Sequence, residues 1–265
     1  MNRRAIGIFD SGLGGLTILK TLCEVLPREK YIYFGDTANT PYGSKSKQAV
    51  TRFSLDIARF LETQQVKLIV VACNTASALA LAQLQKQISV PVIGVIKPGA
   101  VKALQTTRNG KVAVIATEAT TQSKAYPREL LRLNQNLSIT QQACPLFVPL
   151  IEEGWIHPQG GEHIIADYLR SVQNSGADTI ILGCTHYPVI KSKIAKCLGP
   201  KVRLVDSAEV LSEEVLTLLS SSHQLNTKGR GGLKIYASDD PLRFKRLAKN
   251  ILGRPLKQVY LKKLN

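Results

Sequence analysis

The stretch Lys67-Leu-Ile-Val-Val-Ala-Cys73-Asn74-Thr75-Ala76 decides the fold, because the chain repeats its pattern as Asp178-Thr-Ile-Ile-Leu-Gly-Cys184-Thr185-His186-Tyr-Pro188. Each is an unbroken apolar run that ends in a cysteine. The first continues as a helical pattern to Gln87 and the short run Val90-Pro-Val-Ile-Gly-Val95. The second continues as a helical pattern to Leu198 and the run Val202-Arg-Leu-Val-Asp206. The two cysteines stand 111 residues apart, and upstream Ala5-Ile-Gly-Ile-Phe-Asp10-Ser11 matches Lys111-Val-Ala-Val-Ile-Ala-Thr117 at an offset of 106. Unbroken apolar runs alternating with helical patterns mark parallel strands covered on both faces. The expectation is an α/β protein of two pseudo-symmetric, doubly wound parallel-sheet domains. Such sheets bind ligands beyond the carboxyl ends of their strands, where Asp10, Asp36, Cys73, Thr117, Cys184 and Asp206 all fall. Two halves that face each other through these ends enclose a cleft, the expected active site. Pro98-Gly99 punctuates the first crossing and Asp206-Ser207-Ala208 the return. Residues 1–97 plus 208–265 then form the first domain and 98–207 the second. The tail adds a Gly-rich loop, a strand at 233–237 and a helix that opens at Asp240-Pro241, with aspartate as N-cap and proline at the first helical position.

The charge points elsewhere. Among 265 residues, 35 Lys and Arg stand against 19 Asp and Glu, a net charge of +16 that suits a nucleic-acid or anionic-membrane partner. The excess is uneven: residues 228–265 carry eleven Lys and Arg against Asp239 and Asp240. Part of it lies on the helix after Asp240, where Leu242, Leu247, Ile251 and Leu252 are expected to face inward and Arg243, Lys245, Arg246 and Lys249 outward. No helix-turn-helix, zinc-finger or RNA-binding signature accompanies it, so a solvated face is the favoured reading and specific nucleic-acid binding the alternative. Apolar content of 44% excludes wholesale disorder. The charged start, Met1 to Arg4, imitates a signal peptide, but Asp10 interrupts the apolar stretch before the roughly 7–15 residues such a signal needs. The longest apolar run, 68–73, falls short of the about 20 residues that span a bilayer. Five cysteines with no CxxC pair disfavour a disulfide framework and a zinc ribbon, so a cytoplasmic setting with free thiols is expected.

Cys73 and Cys184 are the candidate catalysts. A strand-end cysteine on its own reads as a small buried hydrophobe. Two at equivalent points of a repeat, each followed by polar residues without a core role, read as function. Each is expected near a helix N-terminus, where dipole and free amides favour the thiolate. Two symmetric thiols suit removal and return of a proton on opposite faces of one carbon. One must then arrive as thiolate and the other as thiol, which requires unlike neighbours. These are present: Cys73 precedes Asn-Thr, whereas Cys184 precedes Thr-His, and His186 can set the protonation state of Cys184.

Five blocks extend this pattern through the chain: Gly7-Ile-Phe-Asp10-Ser11-Gly-Leu-Gly14-Gly15, Gly35-Asp36-Thr-Ala-Asn-Thr-Pro41-Tyr42-Gly43, Ala72-Cys73-Asn74-Thr75, Cys144-Pro-Leu-Phe-Val-Pro-Leu-Ile-Glu152-Glu-Gly154 and Leu182-Gly-Cys184-Thr185-His186-Tyr-Pro188. In this order they closely resemble the signature blocks of the glutamate racemases, as does the tail Tyr236-Ala-Ser-Asp-Asp-Pro241-Leu-Arg-Phe. The resemblance implies cofactor-independent interconversion of L- and D-glutamate, with the D isomer feeding peptidoglycan synthesis and no metal. By the same resemblance Cys73 takes the proton from D-glutamate and Cys184 from L-glutamate. Asp10 assists Cys73, while Glu152 and His186 assist Cys184. Ser11, Asn74, Thr75, Thr117, Thr120 and Thr185 hold the substrate carboxylates, with Asp36, Tyr42 and Gly43 lining the site. A glutamate dianion needs such neutral donors, and its ammonium needs an acceptor such as Asp10 or Asp36. The family commonly forms homodimers, so a homodimer is expected. Some members interact with DNA gyrase and some respond to a peptidoglycan precursor; the resemblance leaves both open here. An aspartate or other dicarboxylate racemase of the same superfamily is the nearest alternative.

Other features read as structural. The run Gly12-Leu-Gly14-Gly15-Leu-Thr17 imitates a dinucleotide fingerprint but lacks its final glycine, and Asp10 would repel a pyrophosphate there. Without the resemblance, Glu152 and Glu153 read as solvated loop carboxylates. Cys144 reads as structural, and Cys23 and Cys197 as core or spacer positions of amphipathic helices.

Overall fold

The structure is a computed structural model that describes residues 4–155 and 159–264; the first three residues of the charged N-terminal stretch lie outside the described set. Among the described residues, ten strands alternate with helices: β1 (Ile6–Asp10), β2 (Lys30–Gly35), β3 (Leu68–Val71), β4 (Val92–Gly94), β5 (Lys111–Ala116), β6 (Ser138–Ala143), β7 (Thr179–Gly183), β8 (Arg203–Val205), β9 (Gly232–Ala237) and β10 (Tyr260–Leu261). They form two all-parallel sheets, ordered β10-β9-β2-β1-β3-β4 and β6-β5-β7-β8. The second order reproduces the β2-β1-β3-β4 end of the first, so the repeat seen in the sequence is a repeat of topology. In each sheet the direction of winding reverses between two adjacent strands, β1 and β3 or β5 and β7. That reversal opens a crevice at the strands' carboxyl ends.

The apolar runs are continuous because both faces of each sheet are covered. In β3, Leu68 and Val70 join one core with Ile6, Ile8 and the helix Leu16–Val25, while Ile69 and Val71 join another with Phe9 and the helix Lys47–Thr63. The second sheet divides likewise, Ile180 and Leu182 to one side and Val112, Val114 and Ile181 to the other. Each fully buried aliphatic side chain contributes about 1.5–3 kcal/mol, so these central strands anchor everything that projects from their ends. Cys144 is buried in the second sheet's core, with Cys197 packed at its margin and Cys23 at the margin of the first.

Two expectations change. Pro98-Gly99 is not a loop: it lies in the first turn of the helix Ile96–Thr106, where proline's missing N–H costs nothing and Gly99 N donates to Val95 O. The first crossing is therefore made by a helix packed on the second sheet. Leu242 points outward, 79% exposed, because the helix Pro241–Leu252 buries Phe244, Ala248 and Leu252 instead. The remaining expectations for the tail match: Asp240 caps that helix by accepting from Arg243 N at 2.9 Å. Among the described residues, no helix is long and apolar enough to cross a membrane.

One charged pair lies inside the first half. Lys67 Nζ donates to Glu29 Oε2 at 2.7 Å, and both side chains are buried. Glu29 also accepts from Asn226 N, and Lys67 donates to Gln224 O, which ties the start of β3 to the segment leading into β9. Removal of one partner strands the other charge. Lys67→Met is expected to lower unfolding free energy by about 3–5 kcal/mol in urea titration; a loss no larger than that of an exposed pair would contradict this.

Candidate active site

Each functional side chain stands at or just beyond the carboxyl end of a strand. Asp10 ends β1, Cys73 lies two residues beyond β3, Thr117 one beyond β5 and Cys184 one beyond β7. The halves meet through these ends, and close contact depends on glycine. A Cβ on Gly14 would overlap Thr185 Oγ1 and come within 2.5 Å of His186 Nδ1; one on Gly43 would come within 2.7 Å of Thr117 Cβ. Across the seam Thr185 Oγ1 donates to Asp10 Oδ1 at 3.3 Å, and Thr17 Oγ1 donates to Thr185 O at 3.3 Å.

A small cavity of about 20 Å³ lies between the halves. Both Cys73 and Cys184 line it, with Ser11, Tyr42, Gly43, Asn74, Thr75, Thr117, Thr185 and His186. Pro41 and Val148 give it an apolar wall. Neither was singled out in the sequence, since nothing in an apolar residue's type marks it as part of a site. The oxygens of Thr75, Thr117 and Thr120 sit 2.9–3.1 Å from one another, a hydroxyl cluster drawn from both halves. Tyr126 OH donates to Asn74 Oδ1 at 2.7 Å, which leaves the amide NH₂ for another acceptor.

Four expected site residues stand behind this lining. Thr120 supports Thr117 and Thr75. Asp10 accepts from Gly12 N at 3.0 Å. Glu152 Oε1 accepts from His186 Nε2 at 3.0 Å. Asp36 is the furthest committed elsewhere: it accepts from Tyr42 OH at 2.6 Å, Ser238 Oγ at 2.7 Å and both-handedly from Asn39 Nδ2. It orients Tyr42, which faces the cavity.

The two thiols have opposite surroundings. Cys73 caps the short helix Asn74–Leu79 and accepts from Ala76 N at 3.5 Å. Burial, with the charge of Asp10 adding to it, nonetheless pushes Cys73 up to about 12. The helix terminus was expected to favour the thiolate; here one amide does not offset desolvation and a neighbouring carboxylate. Asp10 is itself raised by burial, against the His186 charge and Gly12 N–H. Cys184 has no α-helix directly after it; a 3₁₀ turn, Tyr187–Ile190, intervenes. Its Sγ lies 3.8 Å from His186 Nδ1. Burial alone would depress His186, but Cys184 and Glu152 together outweigh it and hold the imidazole well above its ordinary value. One thiol therefore faces a carboxylate and the other an imidazolium. Among the described residues, no group of three or more His, Cys, Asp or Glu is arranged to hold a metal ion.

Residues 15–215 match the model of the family described as Asp/Glu/hydantoin racemase. The chain belongs to this family. The glutamate racemase of Geobacter metallireducens is 49% identical over 97% of this chain and 96% of its own. That of Neisseria meningitidis serogroup A is 44% identical over 97% and 96%. Among solved structures, glutamate racemase from Francisella tularensis in complex with D-glutamate shares 39% identity at a TM-score of 0.94, covering 100% of this chain and 99% of that one. The RacE1 isoform from Bacillus anthracis shares 35% at 0.95, over 100% and 98%. The protein is thus an enzyme of the racemase class, and the two-sheet architecture is that of the solved racemases.

The raised Cys73 thiol is measurable. With Cys73 near 12, only about one thiol in 10⁴ is ionised at about pH 8. Iodoacetamide labelling of Cys73, followed by peptide mass spectrometry, is expected to climb through the alkaline range without a plateau. Asp10→Asn, which removes a charge that raises the thiol, is expected to speed it. A plateau near neutral pH would contradict the assignment.

Proposed function

We propose that the protein is a cofactor-independent glutamate racemase that interconverts L- and D-glutamate through two cysteine bases and supplies D-glutamate for peptidoglycan. One observation carries the reading: equivalent cysteines of the two repeats line a single cavity with unlike proton partners. A planar carbanion formed by proton removal from one face is reprotonated from the other, and stereochemistry inverts. Cys73, protonated at rest, is the donor when Cys184 is the base. His186, held between Cys184 and Glu152, takes part in moving that thiol's proton. After one turnover the protonation states are exchanged. By family resemblance Cys184 acts on L-glutamate and Cys73, aided by Asp10, on D-glutamate.

Substrate recognition follows from the lining. Ser11, Asn74, Thr75, Thr117 and Thr185 offer hydroxyl and amide donors to two carboxylates, with Thr120 behind them. Tyr42 and Gly43 close one side, oriented by Asp36. Val148 and Pro41 suit the methylene chain. The space of about 20 Å³ is close to that of one or two waters. Glutamate therefore enters when the two sets of strand ends part. The domains carried into this proposal are residues 1–97 plus 208–265 and 98–207, with a homodimer in the cytoplasm as the expected form.

Purified protein with either enantiomer is expected to lose its glutamate circular-dichroism signal without pyridoxal phosphate or metal. Turnover of aspartate and none of glutamate would replace the reading with the dicarboxylate alternative. Cys73→Ala and Cys184→Ala are each expected to slow racemisation by about 10²–10⁴-fold or more. Full activity in either would defeat the two-base mechanism.

A further inference from the structure

The residue Glu152 sits at the end of a short helix, Phe147–Glu152, whose hold on the rest of the protein decides where its carboxylate points. Phe147 anchors the start of that helix, stacked edge-on against Tyr187 at 5.2 Å and Tyr168 at 5.3 Å. The far end has less support. Glu153 is half-exposed, Gly154 follows at a φ of +72°, and Trp155 is 67% exposed. A cavity of about 180 Å³ separates Glu152 from the C-terminal helix, lined by Thr37, Thr40, Asp239, Asp240, Arg243 and Phe244 among others. Leu150 and Ile151 pack against the core beneath the helix, so packing holds the helix itself but leaves the direction of the Glu152 carboxylate to its polar contacts.

A charged contact crosses that gap. Arg243 Nη2 donates to Glu153 Oε1 at 2.8 Å. Arg243 is well placed to hold it, because its own backbone N–H is bound by the Asp240 cap and Phe244 beside it is fully buried. The next residue back, Glu152, accepts from His186 Nε2 at 3.0 Å, and His186 Nδ1 stands 3.8 Å from Cys184 Sγ. This chain of contacts thus runs from the basic C-terminal segment to Cys184.

We propose that Arg243 is a positioning residue for the Cys184 side of the reaction: by gripping Glu153 it holds Glu152 against His186. The inference rests on the glutamate racemase reading. An exposed ion pair adds little to stability, so its effect is on geometry. Displacement of a group near the reacting centre by about 1 Å can cost up to about 10²-fold in rate. It also gives part of the C-terminal charge a role that requires no nucleic acid.

The test compares Arg243→Ala, Arg243→Lys and Glu153→Gln with wild type, in the full chain and again in a Glu152→Gln background. Wild-type turnover of glutamate establishes the underlying reading; its failure would sink that reading first, before any variant is compared. Given turnover, Arg243→Ala and Glu153→Gln are expected to lose roughly two- to fivefold in kcat/KM at an unchanged melting temperature, with Arg243→Lys largely restored. The substrate deuterium isotope effect on kcat/KM is expected to rise with α-deuterated L-glutamate and fall with the D isomer, since only one proton transfer is slowed. In the Glu152→Gln background the Arg243→Ala loss is expected to vanish. Wild-type kinetics in Arg243→Ala, an equal change in both isotope effects, or the same loss without the Glu152 carboxylate would each overturn the proposal.

Discussion

The approach of Gly14 to Thr185 and His186 is the contact on which the site depends. No side chain fits between that glycine and the loop after β7, so the loop of one half lies directly on the loop of the other. The seam closes around the strand ends, and residues 111 apart in the chain come to line one small space. Gly43 does the same work against Thr117. The hydroxyl cluster of Thr75, Thr117 and Thr120 exists because both approaches are made at once.

Within that closed seam, burial sets the chemistry. A desolvated thiol next to a carboxylate keeps its proton, whereas a desolvated imidazole between a thiol and a carboxylate gains one. The pseudo-symmetric backbone supplies two equivalent thiols, and the unlike residues after them break the equivalence. That breaking lets one donate while the other accepts. A perfectly symmetric pair would have no preferred distribution of a single shared proton.

The fold was legible because parallel sheets buried on both faces write themselves as continuous apolar runs, and the repeat of those runs exposed the two halves. The cysteines were legible as strand-end residues in equivalent positions. What the sequence hid depended on contacts far apart in the chain. Asp36 looked available for substrate, but Ser238, some 200 residues later, occupies one of its oxygens. Pro98-Gly99 looked like a break, yet proline in a first helical turn removes only an N–H that had no partner. Leu242 fell on the assumed apolar stripe, and only the packing of Phe244 and Ala248 shows that the stripe is rotated. Cys73 sat where a helix terminus lowers a thiol, but a one-dimensional pattern does not report how completely a group is desolvated.

The addition of β9 and β10 to the first sheet alone has a consequence for synthesis. All four strands of the second sheet lie within residues 111–205, so that half is complete as soon as its own segment has left the ribosome. The first sheet must wait. Its core includes Ala208, Leu211, Val215, Phe244 and Ala248, all delivered after the second half. Until they arrive, the face of Ile6, Ile8, Leu68 and Val70 is covered only in part, by the helix Leu16–Val25, and the edge of β2 lacks its neighbour. At about 5–20 residues per second the part made first is the part finished last.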